Sequence, residues 1–437
     1  MTELKKNSPI IKRIYYKIDV ESLSPLAISN GDSDLTDSDI IRNASGDCFV
    51  PGTSLAGAFR NALMLDKKTD GIMGYSDGEN GRMSSIYISD MDLAKKDGKV
   101  ITSVRDGIRL GDDHLVADKG KYDMEIIETG VTGSIYINCL IRQGSDERRY
   151  LDAIKNVIFK IHSGDIRLGA NKNRGFGRFK VLDINISEFT KDNLQQYLEF
   201  KNCFKDAGVS YDKRLSYDEW SKENGQIESG YVWMEVPLKL TGGISIRRYS
   251  TEPGKADYSH MTCNDKPVIP GTSWNGAIRS GVLEILKELG TGTEYANHII
   301  DEWFGSIKKK EEGHQSNIII GESIIEGARK LTMTRNKINR FDASTVDGAL
   351  YTEISYFGGI TALNIGVKKD AKDDYLAIIA MLELVCQAIA DGLIAVGGQT
   401  AVGRGIFASN GNIIYSEDVA GDRSAALYNL IKGGANR

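Results

Sequence analysis

The feature that most constrains this chain is that it repeats itself. The stretch "VPGTSLAGAFRNAL" at residues 50–63 returns as "IPGTSWNGAIRSGV" at 269–282, and seven of the ten positions from Pro51 to Arg60 recur from Pro270 to Arg279, an offset of 219. Three further blocks follow in the same order. "GIMGYSDGENGRMSSIYISDMDL" (71–93) parallels "EWFGSIKKKEEGHQSNIIIGESII" (302–325) at an offset near 231, each giving apolar-Gly, a polar loop and an alternating strand. "VRDGIRL…KGKYDMEII" (104–127) parallels "TRNKINR…VDGALYTEI" (334–354), and "LGANKNRGFGRFKV" (168–181) parallels "VGGQTAVGRGIFAS" (396–409) at an offset of 228. A repeat this long is a duplicated domain rather than a solenoid unit. The 437 residues also exceed the size at which one core usually stops growing.

The predicted organisation is therefore a first domain over 1–191, a helix and linker over 192–230, and a second domain over 231–437. The connecting stretch is charged and polar after an initial helical segment, which suits an exposed connector. Each half opens on an alternating strand, "KRIYYKIDVESL" or "YVWMEVPLKLT". A helix follows, opened by Thr53-Ser54 or Thr272-Ser273. Leu55, Ala58, Phe59, Ala62 and Leu63 lie on one face of it, and Trp274, Ala277, Ile278 and Val282 repeat most of that face. More strands, a second helix, a glycine-rich loop and a final strand complete each half. The order predicts an α+β fold, two tandem ferredoxin-like or RRM-like sheets.

Composition narrows the function classes. A net charge of −5 gives no global nucleic-acid signature, so any RNA contact must be concentrated along a groove. No apolar run approaches the roughly 20 residues of a membrane span, and the N-terminal stretch has no apolar signal core. The expectation is a soluble cytoplasmic protein with no membrane partner. The five cysteines, Cys48, Cys139, Cys203, Cys263 and Cys386, are scattered without a C-x-x-C pair, which argues against a zinc knuckle or a disulfide framework.

Each motif has a structural and a functional reading. Ser or Thr at the helix start can simply cap it. Alternatively, the first-turn amides of Gly52, Thr53 and Ser54, and of Gly271, Thr272 and Ser273, can hold a phosphate, with Arg60 and Arg279 nearby. The glycine-rich loops are tight turns, or surfaces that lie against a sugar-phosphate chain, with Lys172, Arg174, Gly175 and Arg178 in the first and Gly398, Gly403 and Arg404 in the second. Neither is a Walker motif nor G-x-G-x-x-G.

The run "NGDSDLTDSDIIRN" carries Asp32, Asp34, Asp37 and Asp39 and lacks the Gly and terminal Glu of an EF-hand. It is a solvated loop, or it supplies a carboxylate that helps a 2′-hydroxyl attack the neighbouring phosphate, as a base or through a divalent metal. Counting back from the Pro-Gly turns selects one residue per half: Asp37 lies 14 before Pro51 and Asp257 lies 13 before Pro270. The five histidines have no counterparts between halves, and His114 and His260 read as residues of polar loops. There is no G-x-S-x-G or H-E-x-x-H pattern.

Together the blocks resemble the RAMP superfamily of CRISPR-associated proteins, and within it the backbone subunit of type III effector complexes. The resemblance rests on Pro51-Gly52-Thr53-Ser54 with Gly57 and Arg60, on "IMG" and "WFG", on "RDGIRL…YDMEI" and on the glycine-rich ending. It implies RRM-like domains, each with a thumb hairpin, near 109–122 and 340–349. It also implies binding of CRISPR RNA, partnership with other effector subunits and Asp-dependent cleavage of complementary single-stranded target RNA. Asp37-Ser38-Asp39-Ile40-Ile41-Arg42 fits the catalytic loop closely and Asp257-Tyr258-Ser259-His260-Met261-Thr262 loosely. A divalent metal, Mg2+ or Mn2+, is the expected cofactor, held indirectly near Asp37 and Asp257. Lysines expected in the helix start are replaced by Ala56 and Ala58, and by Asn275 and Ala277, which shifts guide contacts toward backbone amides. A filament subunit that holds guide RNA without cutting, and a guide-processing endonuclease, stand as alternatives.

Overall fold

A computed structural model describes the chain except residues 1–7, 30, 32–35, 65–70, 78–79, 96–97, 111–115, 201–209, 226, 250–255, 307–312, 314, 372–373 and 436–437. It forms two compact units, Met1–Lys172 with Phe176–Ser229, and Asn173–Gly175 with Gly230–Arg437.

The first unit runs β1 (Ile10–Ser22), β2 (Phe49–Val50), α1 (Gly52–Ala62), a small hairpin of β3 (Tyr75–Asp77) and β4 (Asn80–Arg82), β5 (Ile86–Ile88) and β6 (Met91–Ala94). It continues through β7 (Thr102–Leu110), β8 (Val116–Ile127), β9 (Thr132–Arg142), α2 (Glu147–Ser163), β10 (Phe179–Thr190), α3 (Leu194–Glu199), β11 (Lys213–Ser216) and α4 (Tyr217–Asn224). The central pairings are antiparallel: β10 with β1, β1 with β9, and β9 with β5. Alternation in β1 puts Ile14, Ile18 and Val20 into a core with Leu55 and Phe59 of α1 and Ile154, Val157, Ile158 and Ile161 of α2. Tyr15, one residue out of phase, packs with Phe189, Tyr197, Phe200 and Tyr211 in a separate aromatic cluster.

The second unit repeats the plan. Its elements are β12 (Tyr231–Leu240), β13 (Gly243–Ile244), β14 (Arg247–Tyr249), β15 (Tyr258–His260), β16 (Thr262–Cys263), β17 (Lys266–Ile269), α5 (Gly271–Glu288), α6 (Thr293–Phe304), β18 (Ile318–Ile320) and β19 (Ser323–Ile324). Then come β20 (Arg329–Arg335), β21 (Tyr351–Phe357), β22 (Ile360–Lys368), α7 (Tyr375–Ala390), β23 (Phe407–Ser409), β24 (Ile414–Tyr415) and α8 (Arg423–Ala435). The sheet order is β18-β22-β12-β23. In each unit, taking the strand before the first helix, the two between helices and the last, the order is fourth-first-third-second. That order is compatible with a ferredoxin-like fold. Met234, Val236, Leu238 and Leu240 alternate inward from β12 into a core with residues of α5 and α7, and Val232 is buried in the same alternation.

Three expectations change. The stretch 192–230 is not simply a helix and exposed connector: β11 pairs antiparallel with β10, and Trp220 of α4, 3% exposed, joins the first core. Its polar residues are the outer faces of a short strand and helix, and its apolar anchors are Trp220 in the first core and Tyr197, Phe200 and Tyr211 in the aromatic cluster. The inserted hairpins, expected near 109–122 and 340–349, have paired arms that extend beyond those stretches, β7–β8 and β20–β21, and residues 111–115 lie outside the described residues.

Finally, neither Thr-Ser pair caps its helix. Pro51 and Pro270 occupy the N-cap, with ψ of 138° and 146°, and no side chain caps either helix. The Pro51 carbonyl accepts from the Ser54 and Leu55 amides, and Pro270 does the same for Ser273 and Trp274. The glycine at the next position has a packing cause. A Cβ on Gly52 would lie 2.8 Å from the Ile88 carbonyl oxygen of β5, and one on Gly271 would lie 2.5 Å from that of Ile320 in β18. Each first helix thus begins pressed on a strand backbone.

Trp220→Ala should cost about 3–5 kcal/mol, as expected for removing a fully packed indole. Denaturant unfolding of the full chain checks this; a surface connector would leave the transition unmoved.

Candidate nucleic-acid interface

In each unit the glycine-rich loop closes on itself and staples the chain that leaves the first strand. The Leu168 amide bonds the Gly177 carbonyl (2.9 Å), and the Val396 amide bonds that of Gly405 (2.9 Å). From the first loop, Ala170 and Gly177 donate to Ala27 and Pro25 (2.7 and 2.8 Å); from the second, Gly398 and Gly405 donate to Ser245 and Gly243 (2.8 Å each). Positive φ recurs at four positions with the same 228-residue offset: Gly169 and Gly397, Asn171 and Gln399, Gly175 and Gly403, Gly177 and Gly405. At Gly177 and Gly405 a Cβ would fall 1.8 and 1.9 Å from a carbonyl oxygen, so no other residue fits.

The stapled segments lead into the two aspartate loops. Ile41 donates to the Ile28 carbonyl (2.9 Å) and Met261 to that of Ile246 (2.8 Å), closing the bases of loops 28–41 and 246–261. Within the first, Thr36 ties down Asp39 through its amide and hydroxyl (3.0 and 2.7 Å), so Asp39 is spent on the turn. Asp37 is exposed. Its Oδ2 accepts the Asp123 amide (3.0 Å), while Asp123 Oδ1 accepts the Asp37 amide (2.8 Å). In the second unit Asp257, also exposed, accepts the Thr352 amide at Oδ2 (2.6 Å) and donates its own amide to the Thr352 carbonyl (3.0 Å). Asp123 and Thr352 each follow a tyrosine on the returning arm of the inserted hairpin. The two aspartates selected by counting thus occupy one structural position, held by the same carboxylate-to-amide bond. Asp32 and Asp34 lie outside the described residues.

Glu125, two residues beyond Asp123, secures the first loop further: its Oε2 accepts the Ile40 amide (3.0 Å) and its other oxygen meets Arg42. Sequence reasoning missed Asp123, Thr352 and Glu125, although the tyrosine shared by "YDMEI" and "YTEI" marked the first two.

The remaining predicted residues divide. Gly52 spends its amide on Asp90 (2.7 Å), leaving the first helix start already matched to a carboxylate. Thr53 is exposed and Ser54, Thr272 and Ser273 are half-buried, whereas Gly271 is buried. Arg60 is directed to the Met73 and Gly74 carbonyls (2.8 Å each), and Arg279 reaches Asp301 (3.4 Å) and lies over Phe304. These two arginines bind the "IMG" and "WFG" regions of their own units, a structural employment that the spacing alone did not reveal. Lys172 and Arg174 are exposed, Gly175 is buried and Arg178 half-buried. Gly398 is half-buried and Gly403 exposed. Arg404, expected to extend toward RNA, is instead 8% exposed, above the Phe357 ring and 3.8 Å from the buried Glu353.

Asp37 and Asp257 are the expected holders of a divalent metal. Among the described residues no group of three His, Cys, Asp or Glu side chains converges. Asp37 and Asp123 nevertheless stand side by side, which suits the one or two carboxylates that Mg2+ takes beside a substrate phosphate; Asp257 has Thr352 in place of the second carboxylate.

Among the histidines, His162 stacks on Tyr217, His298 is exposed, and His114 and His314 lie outside the described residues. His260 is not a polar-loop residue: it is buried, and its Nδ1 accepts the Ile246 amide (3.0 Å) at the base of the Asp257 loop. Cys48, Cys139, Cys263 and Cys386 are buried and form no disulfide with one another, and Cys203 lies outside the described residues. Among the described residues no helix is long and apolar enough to cross a membrane.

Comparison with known proteins agrees with the repeat. The family model described as RAMP superfamily matches residues 19–180 and 261–408. The first stretch contains Asp37; Asp257 lies four residues before the second. No curated protein matches the chain.

Burial lowers His260 to about 4, from an ordinary 6.5. The unfolded chain therefore binds this proton more readily than the folded one, so stability is full above about pH 6.5 and falls as pH drops toward 4. His260→Asn keeps an acceptor for Ile246 and should flatten that part of the melting-temperature profile between pH 6.5 and 4.

Proposed function

We propose that this chain, which belongs to the RAMP superfamily, is a two-domain backbone subunit of a type III CRISPR effector complex that cuts complementary target RNA at Asp37, with Asp257 as a second centre. Membership of the superfamily brings CRISPR-associated RNA binding, with CRISPR RNA and other effector subunits as partners. The cleavage reading rests on one observation: in both units an exposed aspartate is clasped to the returning arm of an inserted hairpin by the same backbone bond.

This clasp does what a catalytic carboxylate needs. It fixes the side chain without burying it, so the other oxygen can face the RNA backbone. With a 2′-hydroxyl in reach, the carboxylate takes its proton as the 2′-oxygen bonds to the adjacent phosphorus. The 5′-oxygen then leaves and takes a proton from water, giving a cyclic phosphate and a 5′-hydroxyl end. Asp37 and Asp123 would hold a divalent cation in the first unit and Asp257 alone in the second; such a cation supplies charge neutralisation at the phosphate. The exposed Lys172 and Arg174 and the backbone of the glycine-rich loops would track the sugar-phosphate chain without reading sequence.

A second reading keeps the filament role without cleavage. It is favoured by the fact that each aspartate already spends an oxygen on structure, so each could be an anchor alone. Asp37→Asn separates the two, because an amide oxygen still accepts the Asp123 amide but cannot take a proton. In the assembled complex it should lower the corresponding cut by about 100-fold or more while guide binding persists, and Asp257→Asn should act likewise on a second cut. Undiminished cutting by both variants would leave only the filament reading. A titration with Mg2+ should also show the second cut needing more metal than the first, because the second unit offers one carboxylate fewer; equal requirements would count against the metal assignment.

A further inference from the structure

The second unit contains a buried polar network built around a carboxylate, at a position where the first unit carries Met124. Glu353 of β21 is fully buried. Its Oε2 accepts from the Tyr258 hydroxyl (2.8 Å) and from Gln399 Nε2 (2.9 Å), and Gln399 also donates to the Tyr258 oxygen (3.0 Å). Its Oε1 stands 3.0 Å from Arg335 and 3.8 Å from Arg404. Four separate segments meet on this one carboxylate: both hairpin arms, the strand after Asp257 and the glycine-rich loop. Burial, and then Glu353 itself, raise the Tyr258 hydroxyl to about 12, so it remains a donor. The Arg247 guanidinium covers the ring at 4.4 Å.

The equivalent positions of the first unit, counted from Tyr122 and Tyr351 and from the glycine-rich loops, are Met124 for Glu353, Phe176 for Arg404 and Asn171 for Gln399. There Phe176 is buried with Ala27 and Ile126, Met124 packs against them, and the Asn171 amide meets the Met124 sulfur at 3.4 Å. This contact, with the buried Arg105 guanidinium 5.6 Å from the Phe176 ring, accompanies an aspartate whose amide is held by the Asp123 side chain. The second unit has no such carboxylate, since Thr352 supplies only its backbone. The network stands where that support is missing. Tyr258 and Glu353 pair in the parallel ladder between β15 and β21, and Asp257 and Thr352 are the residues immediately before them. Whatever holds Tyr258 to Glu353 therefore sets the Asp257 carboxylate.

We propose that Glu353 is the positioning residue of the second unit: through Tyr258 it fixes Asp257 for action on RNA. This rests on the reading of Asp257 as a cleavage centre. A buried carboxylate is kept at this place because it accepts from several donors at once, which Met124 in the first unit cannot do. A network kept for stability alone would move the melting temperature and leave the local geometry of Asp257 and its rate untouched.

Two mild variants test the proposal, Tyr258→Phe, which removes one hydroxyl, and Glu353→Gln, which keeps shape and an acceptor oxygen. Hydrogen exchange on the full chain reads loop order without any cleavage. Both variants should raise exchange of the Asp257 and Thr352 amides about tenfold, as loss of a buried hydrogen bond allows, while peptides containing Asp37 and Asp123 stay unchanged. Unchanged exchange at Asp257 and Thr352 in both variants would overturn the proposal. In the assembled complex, the cut that Asp257→Asn abolishes should slow about tenfold under single turnover. Half-saturating RNA concentration and the Asp37 cut should hold at their parental values. A parental rate at the second cut, or both cuts falling together, would equally overturn it. If the parental complex shows no cut that Asp257→Asn removes, the cleavage reading of Asp257 fails on the parent alone, and the exchange data still decide whether Glu353 fixes the loop.

Discussion

A carbonyl oxygen packed where a Cβ would otherwise sit is the contact on which both units depend. Gly177 lies against Leu168 and Gly405 against Val396 at distances that exclude any side chain. From that closure the loop amides reach back to Pro25 and Ala27, or to Gly243 and Ser245. Those segments are the start of the aspartate loops, so the reactive candidates are aimed by backbone geometry rather than by their own neighbours in sequence. The interior around them is close-packed and transmits displacement.

Much of this was legible in the residues. Alternation in "KRIYYKIDVESL" and "YVWMEVPLKLT" placed the central strands, and helical spacing placed Leu55 and Phe59 in the core. Repetition of the glycine-rich blocks at a constant offset anticipated a shared conformation, which the matching left-handed residues bear out. Counting from the Pro-Gly turns found two aspartates that share one hydrogen-bond partner position.

What stayed hidden depended on partners distant in the chain. Arg60, Arg279 and Arg404 looked like cations for a phosphate chain, yet each is taken up by carbonyls or a carboxylate of its own unit. Composition cannot separate a solvent-facing arginine from one bound internally. The Thr-Ser pairs suggested a cap, but the proline two positions earlier takes the N-cap with an extended ψ, and its carbonyl closes the first turn. His260 sat among polar residues in sequence and is nevertheless buried, in a short strand paired on both sides, with β14 and with β21.

Joining two copies in one polypeptide has a consequence for how such a site changes over time. Where a strand is assembled from identical subunits, one substitution alters every position along it at once. Here Asp123 can become Thr352, and Met124 can become Glu353, without the other half following. Each half carries its own hereditary record, so one aspartate loop can change while its twin is preserved, and the pair still arrives in a one-to-one ratio.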